Sequence, residues 1–86
     1  MRESAIEQYL VTETKKRKGY CIKLLGVVGL PDRMILLPGA RVIFVEVKTI
    51  TGRLSPLQKQ WQIWLGVLGF KVLVLRSKDQ VVNVFD

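Results

Sequence analysis

Apolar positions along the chain change period several times, and each change marks an element. Over residues 3 to 18, Ile6, Tyr9 and Leu10 fall at i, i+3, i+4 spacing, with Glu3 one turn earlier on the same face. This predicts a helix. Lys15, Lys16, Arg17 and Lys18 fall in its last turn, where cations suit the helix dipole, and Gly19 supplies a stop. Tyr20 to Leu25 fits a strand, followed by a glycine-bounded loop from Gly26 to Pro31. Asp32 to Leu37 and Arg41 to Lys48 are two further strand-like runs, with Pro38-Gly39-Ala40 as the hairpin turn between them. After a loop at Thr51-Gly52-Arg53, Ser55 is an N-cap, Pro56 takes the first helical position and Gln58 the third. That helix extends to about Leu68 and stops at Gly69. Phe70 to Leu75 is nearly all apolar, as in a central strand covered on both faces. Ser77 to Gln80 turns the chain, and Val81 to Phe85 reads as a last short strand.

The expected fold is α/β: one domain over residues 1–86, a compact mixed β-sheet flanked by helices, in the order α-β-β-β-α-β-β. Arg41 to Leu75 forms a strand–helix–strand unit, which makes its two strands parallel through a right-handed crossover.

Charge adds a partner to this picture. There are 14 Lys and Arg against 7 Asp and Glu, a net +7. A small basic domain suggests a polyanion, nucleic acid above all. No apolar run approaches the ~18 residues of a membrane span, and the first residues lack the layout of a signal peptide. The single cysteine, Cys21, cannot form an internal disulfide and fits a reduced, cytoplasmic chain, where it is a small buried residue. Histidine is absent, which excludes a Ser-His-Asp triad, a Cys-His pair and a His-ligated zinc. Chemistry near neutral pH falls to carboxylates, lysines, hydroxyls or a metal.

The hairpin gathers such groups. If its pairing is symmetric about Gly39, Leu37 faces Arg41 and Asp32 faces Glu46. Lys48, two residues past Glu46, points to the same side. Facing carboxylates repel unless a cation sits between them, and hard divalent ions prefer such oxygens. The simpler alternative is a surface ion pair between Lys48 and Glu46. A two-residue turn would instead shift the register and put Asp32 and Glu46 on opposite faces.

Pro31-Asp32 followed by Glu46-Val47-Lys48 matches the P-D…(D/E)-x-K pattern of restriction-endonuclease-like nucleases. With Glu3 in the first helix, Gly29-Leu30 before Pro31, and Leu54-Ser55-Pro56-Leu57-Gln58 opening the second helix, the chain resembles the VRR-NUC (virus-type replication-repair nuclease) domain over nearly its whole length. The resemblance implies a restriction-endonuclease-like fold and metal-dependent hydrolysis of DNA phosphodiesters, with Mg²⁺ or Mn²⁺ as cofactor. It implies Asp32 and Glu46 as metal ligands, the Val47 carbonyl as a third, and Glu3 as a second-site or outer ligand. Lys48 becomes the catalytic lysine, and Gln58 positions water, metal or phosphate. It further implies branched DNA such as a Holliday junction as substrate, in a phage or prophage setting. Two positions depart from the pattern: Arg33 follows the aspartate and Thr49 follows the lysine.

Each residue also has a plainer role. Glu3 suits a helix first turn, with Glu7 as an alternative for the site, and Gln58 suits a capping box with Ser55. Lys15, Lys16, Arg17 and Lys18, together with Arg33 and Arg53, are candidate phosphate contacts; a solvated helix end is the alternative for the first four. Trp61 and Trp64 read as core or interface. On the second helix Leu57, Trp61, Trp64, Leu65 and Leu68 form the main apolar face, with Ile63 and Val67 roughly opposite. One sheet cannot cover both strips, so a homodimer is expected. The competing functions are a non-catalytic nucleic-acid-binding module and a subunit of a larger nuclease complex.

Overall fold

A computed structural model describes residues 2–86. Helix α1 (Glu3–Lys16) leads into strands β1 (Tyr20–Lys23), β2 (Arg33–Leu37) and β3 (Arg41–Val47); helix α2 (Pro56–Val67), strand β4 (Lys71–Leu75) and a 3₁₀ helix (Lys78–Val84) follow. The four strands form one sheet in the order β1-β2-β3-β4. The first three pair antiparallel and β4 joins β3 in parallel, as the strand–helix–strand unit requires.

The core lies on one face of this sheet. Ile6 and Leu10 of α1 pack against Ile35, Leu37, Ile43, Val45, Val47 and Leu75, and Val81 and Val84 close the cluster. Period-two alternation sends Met34, Phe44, Glu46, Val72 and Val74 to the other face, toward α2. That second face is thinly covered. Leu65 is the buried residue of α2, whereas Trp64 is 46% exposed and Leu68 72%. Ile63 and Val67 are exposed as expected, but most of the strip expected to face the sheet is exposed with them.

One local expectation is corrected. Val81 to Phe85 is not a strand; it lies in the 3₁₀ helix and the turn after it. Val81 and Val84 are both fully buried while Val82 is half-exposed, a period of three that eclipses i and i+3. The helix end is held by side chains: Lys71 Nζ donates to the carbonyls of Asn83 (2.7 Å) and Asp86 (3.1 Å), and Arg41 Nη2 to that of Phe85 (3.1 Å). At the end of α1, Lys18 rather than Gly19 takes the left-handed conformation, with φ 60°. Gly19 is required for another reason: a Cβ there would stand 2.5 Å from the Leu36 carbonyl oxygen. The glycine admits close approach of the helix exit to β2.

Candidate active site

The site begins with the hairpin register. Leu37 pairs with Arg41 and the ladder continues to Arg33 opposite Val45, which brings Asp32 opposite Glu46. The turn has three residues, and its left-handed positions fall at Gly39 (φ 82°) and Ala40 (φ 60°). The Val47 N–H donates to Asp32 Oδ2 at 2.8 Å, fixing one carboxylate oxygen at the strand end. The Leu24 N–H donates to the Asp32 carbonyl at 2.9 Å, which ties down its backbone as well.

Glu46 is 3% exposed in the sheet's second face, one of two buried polar residues among the described residues. Burial pushes its carboxyl up to about 7, and the neighbouring Asp32 carboxylate adds to the rise, Glu3 more weakly; Lys48 acts in the opposite direction. Lys48 Nζ stands 3.9 Å from Glu46 Oε2, close enough to attract but too long for a hydrogen bond. Gln58 approaches from α2, its Nε2 donating to Glu46 Oε2 at 3.4 Å.

The same amide closes the capping box expected of Ser55. The Ser55 N–H donates to Gln58 Oε1 (2.8 Å), and the Gln58 N–H to Ser55 Oγ (3.1 Å). Because Oε1 is used by the cap, Nε2 is the end turned toward Glu46. Both readings of Gln58 are therefore compatible in one geometry.

Asp32, Glu46, Lys48 and Gln58 thus converge, and Glu3 lies near enough to act on Glu46 electrostatically. Glu7 does not join them. It pairs with Arg33 (Oε2 to Nε, 2.6 Å), whose Nη1 also donates to the Cys21 carbonyl (3.3 Å). Arg33 turns away from the carboxylate face as strand alternation requires, and is held there by α1. Cys21 is half-buried, and that burial raises its thiol.

The basic run is not beside the site. Lys15 sits roughly 18 Å along the helix from Glu3 at 1.5 Å per residue. Lys16 and Arg17 pair with Glu13 (2.9 and 3.3 Å), and Arg17 covers the Phe85 ring at 4.0 Å. Glu13 is held below, and Lys16 above, its ordinary range by that contact. Lys15 and Lys18 are exposed without an ion pair among the described residues, and Arg53 is exposed on the loop after Lys48.

Among the described residues, no three His, Cys, Asp or Glu side chains gather as a complete metal cage. Two carboxylates still suit a hard ion such as Mg²⁺, which commonly takes one or two and fills its shell with water and phosphate oxygens. Burial, and after it the neighbouring Asp32 carboxylate, favour the protonated form of Glu46, and a divalent cation held by the two would favour the charged form.

Sequence reasoning missed Arg76. Its Nη1 donates to the carbonyls of Thr49 (2.8 Å) and Gly52 (2.5 Å), on the loop joining Lys48 to Ser55. No local spacing signals a contact made across strands to backbone oxygens.

The VRR-NUC domain family matches residues 25–79. A protein of Acyrthosiphon pisum secondary endosymbiont phage 1, named "Putative nuclease p44", is 40% identical over 81 residues, covering 92% of this chain and 87% of that protein. A solved structure described as a VRR_NUC domain superposes with a TM-score of 0.89 at 28% identity, over 96% of this chain and 92% of that one. Motif, fold and relatives agree, and the chain belongs to the VRR-NUC family of nucleases.

Proposed function

We propose that the chain is a divalent-metal-dependent endodeoxyribonuclease that acts on branched DNA, of the kind a Holliday junction presents, as a homodimer. The observation that carries the hydrolytic part is the Asp32–Glu46 pair, buried on one side and flanked by Lys48 and Gln58. Asp32 and Glu46 would hold Mg²⁺ or Mn²⁺, with the Val47 carbonyl as a further oxygen. When bound, the ion would supply Lewis acidity toward the phosphate and lower the pKa of water. The protein groups do the rest. The Val47 N–H holds Asp32 in one orientation, and Gln58 steadies Glu46 while its other end is fixed by the cap. Lys48 orients the attacking water or stabilises charge growing on the phosphate. Glu3 adds negative charge at the rim that favours a second cation or an ordered water.

DNA fits the net charge of +7, and a phage relative fits a replication or repair setting. Branched DNA and pairing go together: one site cuts one strand, and symmetric cutting needs two. The exposed α2 residues Ile63, Trp64, Val67 and Leu68 supply the pairing surface.

The test is cleavage of duplex, flap and four-way junction DNA by the purified chain with Mg²⁺ or Mn²⁺. Cutting is expected to require the metal, to favour the junction, and to vanish in Asp32→Ala, Glu46→Ala and Lys48→Ala with DNA binding retained. Activity in chelator, or in Glu46→Ala, would overturn the metal-nuclease reading. Equal cutting of all three substrates would overturn the branch preference alone.

A further inference from the structure

Most buried or half-buried charges in this protein meet an opposite charge. Arg76 is an exception. It is half-buried, yet among the described residues no carboxylate lies within ion-pair distance of it. A guanidinium withdrawn from water and given only neutral acceptors is retained at a cost in solvation. The question is what its contacts accomplish.

Its position in the sheet gives the answer. Strand β4 runs parallel to β3 with Leu75 opposite Val47, and the Lys48 N–H donates to the Leu75 carbonyl at 2.9 Å. Arg76 is the next residue, so it stands beside Lys48 where the two strands end. From there Nη1 reaches the carbonyl of Thr49, immediately after Lys48, at 2.8 Å, and that of Gly52, three residues before the Ser55 cap, at 2.5 Å. Its own N–H is held by Gln80 Oε1 at 2.7 Å. Within the loop, the Gly52 N–H to Thr49 carbonyl bond, at 3.2 Å, is the other link. One end of this loop therefore carries Lys48. The other carries Ser55, which sets the amide of Gln58.

We propose that Arg76 is a positioning residue of the nuclease site: by bridging the Thr49 and Gly52 carbonyls it fixes the loop that places Lys48 and Gln58 against Glu46. The inference rests on the reading of Lys48 and Gln58 as working groups. Arg76 acts through backbone and need not touch DNA. A displacement of about 1 Å in such groups can cost on the order of 100-fold in rate.

The experiment compares single-turnover cleavage, DNA affinity and amide exchange of residues 48–55 in the parent, Arg76→Ala, Arg76→Lys and Gly52→Ala. Arg76→Ala is expected to slow the cleavage step by roughly 10- to 100-fold. Its affinity for DNA should stay within about twofold, and loop exchange should quicken. Arg76→Lys, which keeps a cationic donor on a stem of different reach, should recover part of the rate. Gly52→Ala leaves Arg76 in place but sets a Cβ 2.9 Å from Thr49 Oγ1, so it should displace the loop and slow cleavage in the same way. It also keeps the inference testable if Arg76→Ala fails to fold. Parent-like cleavage in folded Arg76→Ala, or in a Gly52→Ala whose loop exchange has quickened, overturns the inference. So does a loss of DNA affinity that matches the loss of rate, which would make Arg76 a phosphate contact. The underlying reading fails differently, with Lys48→Ala and Gln58→Ala cleaving like the parent.

Discussion

Gln58 carries two jobs on one amide, and the two can be separated. Gln58→Glu keeps an acceptor for the Ser55 N–H and puts a negative charge in a helix first turn, where it is favourable. It removes the donor to Glu46 and adds a like charge beside it. Stability is expected to change by less than about 0.5 kcal/mol, while cleavage falls at least tenfold. Gln58→Ala should lose both, with about 1 kcal/mol of stability gone with the cap. If cleavage tracks the melting temperature in both variants, Gln58 is a cap and nothing more. Glu46 makes a second prediction. Its carboxyl titrates near 7 in the folded chain, against 4.5 ordinarily. Between those values the folded state holds the extra proton, so stability of the metal-free protein should fall as pH rises from about 4.5 to 7. Glu46→Gln should flatten that slope and gain about 2 kcal/mol at pH 8, with no gain near pH 4. Denaturant unfolding in chelator at several pH values measures it, and a parallel slope in the variant would exclude Glu46 as its source.

Among the elements, the hairpin was the most legible in the sequence and the helix exit the least. Strand alternation and a turn centred on Gly39 sufficed to bring Asp32 opposite Glu46, because a one-residue slip would turn one strand's side chains to the other face and the three-residue turn sets the rest of the register. The capping box was equally readable, since Ser55, Pro56 and Gln58 act within one turn. Where distant parts of the chain meet, local pattern carried no signal: the Arg76 bridge, the Glu7–Arg33 pair, and the approach of Gly19 to β2. The last strand failed as an expectation because valines satisfy a period of three as readily as a β-propensity. The α1 exit yields its own prediction. Lys18 is a non-glycine residue at φ 60°, so Lys18→Gly should stabilise the protein by about 0.5–1 kcal/mol. Gly19→Ala should destabilise it, because the Leu36 carbonyl is backbone and cannot yield. Thermal unfolding of the two variants in opposite directions is the expected result. The same sign in both would mean that the exit is not set this way.

For the molecule as a whole, the separation between the carboxylates and the basic helix end matters for how DNA is held. With Lys16 and Arg17 engaged by Glu13, the exposed cations Lys15 and Lys18 are the ones expected to meet phosphates away from the cut. Lys15→Ala with Lys18→Gly should lower the log–log salt slope of duplex binding by ~1.8, about 0.9 per contact, and leave single-turnover cleavage at saturation unchanged. An unaltered slope would make the run a solvated helix end. The exposed strip of α2 predicts that Val67→Glu converts a particle of twice the chain mass in light scattering into one of single mass, with the sheet intact. A parent that scatters as one chain, with and without DNA, would count against pairing.

The parallel junction of β3 and β4 also bears on how the enzyme comes into being during translation. Asp32 and Glu46 belong to one hairpin and leave the ribosome close together, followed by Lys48 and then by Gln58. The strand that accepts the Lys48 N–H, and the guanidinium that holds the loop, are made only after all four. A nascent chain that has emerged as far as α2 thus carries every side chain of the site and lacks the scaffold that aligns them. Until β4 is released and docks, such a chain has the groups of the candidate site without the scaffold that aligns them.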